Sequence, residues 1–547
     1  MLVIVLVVLS LQLGIKPNVA SANSGSIAPE ASSPSIPNYQ WQFLSSSEKA
    51  AIDASLQAIR NQRIKNVTLS IIDKDGQPYT GPIQVSQDST SFIYFAGYPD
   101  SPEPDTPDSW SHFLALDPSR SISMWAVWRV VEPQKGIYNF RPVDNNYNEY
   151  AGHGILDFHA EIGPYLFPTL ASSNTIPDWA KSLDFQSLEG NMTNYVHALV
   201  SHFKGRIQFY HLWTEANAWF GNDNWPIEHI IEIIKMEATT IRSIDPNAKI
   251  CIDLINSTPA VLALMNRSGR SNWTTDDFVQ RLITAAVPFD VIGLETHYGT
   301  GPAVGAGGID TLYDRLIELG KFGKPIYVWE DGLESFIDPS YQSELNGEWW
   351  AGPWHGQPSE AKQAEYMVAE TIVYLGNPSM AGIKWEDLVD EGPSHPSIDL
   401  QYTGVMYGNG TEKQAFYALK DLWGNLTVNG IVQSVNGVAT FRGLAGQYSI
   451  SASGYEVEPS AIQVFEGKQN TFSLVLRSTT SITGITSTTS GSVTANKTAV
   501  GPAPQLIENP VLILGGALGI AIVLLAAIIL RRRRLSSQEG RHVKAES

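Results

Sequence analysis

Eight apolar, strand-like runs alternate with helix-period segments through most of this 547-residue chain, and that alternation limits its fold more than any other feature. The runs are residues 92–98, SISMWAVW (121–128), DFHAEIGPYLF (157–167), RIQFYHLW (206–213), KICIDLI (249–255), DVIGLETHY (290–298), PIYVWE (325–330) and AGIKWEDL (381–388). Between them lie segments with apolar residues every three or four positions, such as MTNYVHALVSHF, PIEHIIEIIKMEATTIRSI and EAKQAEYMVAETIVYLG. Short continuous apolar runs suit strands buried on both faces, and the longer period suits helices that cover them. The pattern predicts an α/β fold, a (β/α)8 TIM barrel over residues 46–424. A doubly wound open sheet is the alternative. It calls for a glycine-rich phosphate loop after the first strand, and the sequence has none there.

The flanks differ in composition. Residues 1–22 are apolar and end on Ala20-Ser21-Ala22, which reads as a secretory signal peptide; its positive start is missing, so an uncleaved anchor stays open. Residues 23–45 are rich in Ser, Pro and Ala and read as a linker. Residues 425–477 show short alternating strands with glycine turns, the pattern of a small β-sandwich module. A Ser/Thr-rich stalk is expected over 478–510. The twenty residues from Val511 to Leu530 are apolar and uncharged, long enough for one transmembrane helix, and Arg531 to Arg534 follow at once. The positive-inside rule then places residues 531–547 in the cytoplasm and the rest outside the cell membrane. Glycosylation sequons at Asn66, Asn191, Asn256, Asn266, Asn272, Asn409, Asn425 and Asn496 fit that location. The single cysteine, Cys251, excludes an intrachain disulfide and reads as a core residue of its strand.

Composition removes several function classes. A net charge of −19, with no basic patch outside the extreme C-terminus, argues against nucleic acid as a partner. There is no H-E-x-x-H, no cysteine pair and no P-loop, so neither a metal nor a nucleotide cofactor is expected. His153, His159, His202 and His211 are scattered and read as satisfied surface or core histidines. The 15 Trp and 21 Tyr suit rings that stack on sugars, and equally suit a large core.

Carboxylates give a sharper signal. A (β/α)8 barrel keeps its site at the C-terminal ends of its strands. Glu215 ends the fourth strand and Glu330 the seventh, facing each other across the expected mouth. Hydrolysis of a glycosidic bond needs two carboxyl groups flanking it, one protonated and one ionised. Structural salt bridges at both strand ends are the competing reading. Glu386, Asp387 and Asp390 cluster after the eighth strand, where they either line the cleft or solvate its rim.

At these residues the chain resembles the clan of retaining glycosidases with an acid/base on strand four and a nucleophile on strand seven. Within that clan it is most similar to family 10 endo-xylanase-like proteins. VTLSIIDKDGQPYTGPIQV followed by FIYFAGY is similar to their N-terminal hairpin and first strand, WRVVEPQKGIYNF to their EP-x-x-G segment, and LWTEANAW to the acid/base strand. GLETHY is similar to G-L-Q-x-H on strand six, YVWED to the nucleophile strand, and GIKWEDLVD to the W-g-x-x-D of strand eight. The resemblance implies Glu215 as acid/base and Glu330 as nucleophile, with substrate contacts from Thr214, Glu295, His297 and Trp385, no metal and no cofactor. His297 would keep the nucleophile ionised, Trp385 would wall the cleavage subsite, and Glu132 is read as structural. The 425–477 module resembles carboxypeptidase-regulatory-like modules.

This chain departs from the family where sugars are held. Thr214 replaces an Asn before the acid/base, Glu295 replaces a Gln, and Met124 and Val127 replace the Asn and Lys of strand two. The strand-three motif is not recognisable around His159. The expectation is therefore a membrane-anchored extracellular retaining glycoside hydrolase acting on a β-linked polysaccharide or oligosaccharide, xylan- or β-glucan-like, as a monomer. A degenerate barrel that binds surface glycans is the alternative.

Overall fold

The computed structural model describes residues 34–97, 109–163, 174–217, 226–258, 273–296, 308–337, 354–394 and 401–479. Two strands come first, β1 (Ile64–Asp73) and β2 (Gly81–Thr90). Eight more follow: β3 (Ile93–Ala96), β4 (Ser121–Trp125), β5 (Asp157–Glu161), β6 (Phe209–His211), β7 (Lys249–Ile255), β8 (Val291–Glu295), β9 (Ile326–Glu330) and β10 (Met380–Trp385). These eight form one parallel sheet in the order β3-β10-β9-β8-β7-β6-β5-β4. Neighbours in space are neighbours in sequence except where β10 returns to β3, so the sheet curls into the TIM-like barrel expected from the alternation.

The strands are buried on both faces, as the apolar runs require: every residue of β3 and β8 is buried, and all of β7 after Lys249. Rings fill the interior. His159 and Phe209 stack at 4.7 Å, and Tyr327 closes on His159, Phe209 and His211 at 5.7, 6.0 and 5.6 Å. Helices cover the outside. In Ile227–Ile244 the buried Ile230, Ile233, Ile234, Ala238 and Ile241 recur at three- and four-residue spacing and turn one stripe to the barrel.

The last six strands are β11 (Asn429–Ser434), β12 (Val438–Leu444), β13 (Gly446–Ser451), β14 (Tyr455–Glu458), β15 (Ala461–Val464) and β16 (Asn470–Ser478). They do not form a unit of residues 425–477 alone. β1 enters one four-stranded sheet, β12-β1-β16-β14, and β2 enters a second, β11-β2-β13-β15. β1 runs antiparallel to β12 and parallel to β16; β2 lies antiparallel between β11 and β13. Val67, Leu69, Ile71, Ile83 and Val85 share a core with Phe441, Tyr448, Ile450, Leu474 and Leu476. The N-terminal hairpin, read from sequence as part of residues 46–424, is thus structurally part of these sheets. A two-stranded hairpin cannot bury its own apolar face.

Arg63 ties the sheets to the barrel. Its guanidinium donates to the carbonyls of Leu375, Asn377 and Met380 at 2.9, 2.6 and 2.7 Å and to Glu466 Oε1 at 2.8 Å. Residues 34–45, read as the end of a linker, also dock on the barrel. The backbone N–H groups of Gln42, Phe43 and Leu44 donate to the Glu365 carboxylate at 2.7, 2.6 and 3.0 Å, and Leu44 is buried.

Among the described residues no helix is long and apolar enough to cross a membrane. The expected signal peptide, residues 23–33 of the linker, residues 480–510 of the stalk, the apolar run from Val511 to Leu530, the basic tail and His297 lie outside the described residues. The sequon at Asn256 is not open to a glycan: the residue is 3% exposed and its Oδ1 accepts from Arg315 Nε at 3.0 Å. Asn66 and Asn409 are exposed.

Candidate active site

Register fixes which side chains face the barrel axis. Ser123, His159 and Phe209 lie in one row, and one pleat higher lie Trp125, Glu161 and His211. By the same pairing Cys251 and Asp253 of β7, Gly293 and Glu295 of β8, and Phe95 and Lys384 of β3 and β10 point inward. The C-terminal mouth is therefore acidic, with Glu161, Asp253, Glu295 and the two candidate catalytic carboxylates around Lys384.

Glu215 stands after β6 in a backbone conformation that side chains seldom adopt. Its φ is 50°, and Trp213 two residues earlier has φ 120°. Such strain persists only where neighbours hold it. Here β7 holds it: Leu212 N donates to Cys251 O at 3.0 Å and Ala216 N to Asp253 O at 3.0 Å. Asn217 completes the seam, with Nδ2 donating to Ile255 O at 2.9 Å while Oδ1 accepts from Ile255 N at 2.9 Å. The sequence ends its fourth strand on WTEAN because that strand must turn sharply and still be stitched to its neighbour.

Glu330 is aimed by a bulge. Leu294 pairs with Val328 but Glu295 pairs with Glu330, so Trp329 is an extra residue in β9. A regular strand sends adjacent side chains to opposite faces. The bulge lets both reach the interior side: Trp329 packs at 3.6 Å from the His211 ring, and Glu330 acts electrostatically on both Asp253 and Glu295. Thr296 N donates to Glu330 O at 2.8 Å, and Thr296 Oγ1 lies 3.0 Å from Tyr374 Oη. Behind the strand, Tyr374 Oη is 2.8 Å from Asp331 Oδ2 and 2.9 Å from Glu370 Oε1. Burial and the Asp331 carboxylate push Glu370 well above the carboxylate range, which leaves it a proton to offer this network.

The electrostatics single out two further acids. Burial pushes Asp253 up to about 7; contact with Glu295, the Lys384 charge and the backbone N–H of Glu215 pull the other way. Burial, then the charges of Glu330, Asp253 and Glu215, push Glu295 well above its usual value. Glu295 therefore feels both candidate catalytic carboxylates. His211 is held well below the usual imidazole range by burial, with His159 and Lys384 adding to it. It is a member of this interior and not one of the scattered histidines. His159 is bonded to Asp157 Oδ2 at 2.9 Å, His202 to Asp144 at 2.9 Å, and His153 stacks on Trp110 at 4.0 Å.

Trp385 is not a wall of the mouth. It is 1% exposed, and its Nε1 donates to Tyr94 Oη at 2.8 Å. Tyr94 in turn packs at 4.7 Å from Trp423 of the helix Gln414–Leu426. The indole lies in the layer between barrel and helices, because Lys384 takes the inward parity of β10. Among the described residues, an exposed aromatic at the mouth is Trp125, 47% exposed at the end of β4, which the sequence reading passed over. Met124 and Val127, where the family places sugar contacts, are 1% and 3% exposed and belong to the core. Thr214 is half-buried beside Glu215. Glu132 is structural, accepting from Trp128 Nε1 at 2.7 Å and Gly136 N at 2.6 Å. Of the cluster after β10, Asp390 forms a buried pair with Lys413 at 2.6 Å, Asp387 accepts from Thr403 Oγ1 at 2.5 Å, and Glu386 lies 3.5 Å from Lys384 Nζ.

A barrel whose mouth carries one acid after its fourth strand and another on its seventh can donate a proton and attack a carbon from two sides. The model of glycosyl hydrolase family 10 matches residues 126–422, more than half of the chain. The chain belongs to that family. Among relatives of this family-10 chain, endo-1,4-beta-xylanase B of Neocallimastix patriciarum is 23% identical over 225 residues, covering 40% of this chain and 23% of the relative. Endo-1,4-beta-xylanase A of Phanerodontia chrysosporium is 24% identical over 202 residues, 36% of this chain and 44% of the relative. The chain thus spans less than half the length of either. Xylanase 10B of Thermotoga petrophila RKU-1, solved in complex with xylobiose, is 19% identical with a TM-score of 0.44, covering 61% of this chain and 94% of that one.

Proposed function

We propose that this family-10 protein is an O-glycosyl hydrolase that cleaves a β-linked polysaccharide or oligosaccharide with retention of configuration. One observation supports it most: Glu215 and Glu330 stand at the C-terminal ends of the fourth and seventh barrel strands and both bear on the same buried Glu295. In this reading Glu330 attacks the anomeric carbon while Glu215 protonates the leaving oxygen. Water then displaces the glycosyl group from Glu330, with Glu215 now taking the proton. Xylan- and β-glucan-like chains are the substrate class. The core positions of Met124 and Val127 leave xylan without its usual strand-two contacts. The apolar run from Val511 to Leu530 with Arg531 to Arg534 behind it supports a membrane-anchored protein with its barrel outside the cell.

Two variants test the reading. Glu330→Ala removes the atom that forms the covalent intermediate and should abolish hydrolysis. Glu215→Ala should lose about 10²–10⁴-fold on a natural oligosaccharide and much less on the first step with an activated aryl glycoside, with azide restoring turnover. A folded Glu215→Ala as active as wild type on the oligosaccharide would reject the assignment. A wild-type chain that binds xylo- or gluco-oligosaccharides but hydrolyses neither them nor aryl glycosides would be a glycan-binding barrel instead.

A further inference from the structure

The two-carboxylate scheme leaves Glu295 without a task. It is 2% exposed at the end of β8, and its Oε1 has no hydrogen-bond partner among the described residues. The groups that face it most strongly are all acids: Glu330 on β9, Asp253 on β7 and Glu215 after β6. Gly293 brings two of them together. A Cβ at that position would lie 2.9 Å from Asp253 Cα and 2.9 Å from Cys251 Sγ, so the missing side chain leaves the space in which the Asp253 and Glu295 carboxyls meet. Lys384 on β10 and the N–H of Glu215 turn toward Asp253, while His211, which also faces Lys384, is held neutral. Carboxylates gathered out of water repel one another strongly, so this group cannot ionise throughout.

We infer that Asp253 and Glu295 share one proton beneath the catalytic pair, that the proton rests on Glu295, and that Glu295 is thereby a neutral positioning residue for Glu330. This deepens the glycosidase reading and rests on it. Above about pH 7, the value to which it is raised, Asp253 then carries the pair's single charge, opposite Lys384, and Glu330 keeps the negative charge that attack requires. A third full charge beside Glu330 and Glu215 would raise both of their pKa values and move the working range upward.

The test compares Glu295→Gln with Asp253→Asn in the full chain. Glu295→Gln exchanges one neutral group for another. Whatever rate it retains, both limbs of its kcat/KM profile should lie where those of wild type lie. Asp253→Asn removes a charge that is present above about pH 7, so the alkaline limb should move to lower pH, by on the order of one unit. Infrared difference spectra give a readout free of activity: at about pH 8, above the value near 7 to which Asp253 is raised, wild type minus Glu295→Gln should show one protonated-carboxyl carbonyl component lost against the background of the other buried acids. The inference is overturned if Glu295→Gln shifts both limbs downward, or if the difference spectrum shows no lost component. If wild type hydrolyses no β-glycoside while that component is lost as expected, the glycosidase reading falls and the shared proton stands.

Discussion

Trp125 and Trp385 show how much one parity decides at the level of the residue. Both end barrel strands, yet Trp125 shares the inward row of Glu161 and stays 47% exposed, while Trp385 turns outward and is 1% exposed. An exposed indole at a sugar cleft offers its flat apolar face to the ring of the substrate. Losing that contact removes about 2 kcal/mol of binding, so Trp125→Ala should raise KM on an oligosaccharide by tens-fold and leave the melting temperature near that of wild type. Trp385→Ala should do the reverse, since it opens a cavity and strands the Tyr94 hydroxyl. Steady-state kinetics beside melting curves check both, and an unchanged KM for Trp125→Ala would remove it from the site. The strand AGIKWEDL shows why this was hidden in sequence. A lysine beside a tryptophan reads as polar-out and apolar-in, and the acid-lined interior reverses that rule by taking Lys384 inside. Asp253 was hidden in the same way, because KICIDLI reads as a plain core strand.

The elements divide into those whose partners are near in sequence and those whose partners are far. The barrel was legible because each βα unit packs on the next, and all eight strands fall on the runs read from the sequence. Glu215 and Glu330 were legible with it, since strand ends are where such barrels place acids. The bulge at Trp329 that aims Glu330 was not, because a bulge is visible only in the register with β8. The pairing of β1 and β2 with strands about 340 to 380 residues later was equally closed to local patterns. That pairing predicts the outcome of a truncation. A chain ending at residue 424 would strip β1 and β2 of every partner strand and expose Val67, Leu69, Ile71, Ile83 and Val85. It should express as aggregate or melt well below the full chain, although it retains the entire barrel. Soluble yield and calorimetry decide the matter, and a truncated chain with the wild-type melting temperature would show the sheets to be an independent appendage.

Across the whole molecule, buried acids set the response to pH. Burial lifts Asp117 and Asp253 to about 7 and Asp390 to about 6, and it lifts Glu237, Glu295, Glu370 and Asp387 well above the carboxylate range. Each holds its proton more tightly folded than unfolded. Its contribution is fully present below the unfolded value, about 4, and is lost as pH rises through the folded one. Opposed to these are Asp157, held low despite its burial by His159 and Ser121, and Glu48, held low despite its burial by Ser45, Trp354 and His355. Their contribution is lost as pH falls below the ordinary carboxylate range, and that of His211, which burial keeps neutral, begins to be lost as pH falls below about 6.5. The balance places the highest melting temperature in mildly acidic solution, at about pH 4–5, with a steady fall toward pH 8. Glu237 isolates the cause. It is 0% exposed on the barrel side of Ile227–Ile244, and neither of its oxygens has a hydrogen-bond partner among the described residues. Its only cost near neutral pH is that of charging in an apolar site. Glu237→Gln keeps the shape and cannot ionise. It should melt close to wild type at about pH 4 and distinctly higher at about pH 8, which flattens the alkaline fall. Differential scanning calorimetry at the two pH values is sufficient. An equal shift at both would mean that packing around the side chain, and not its proton, governs the loss.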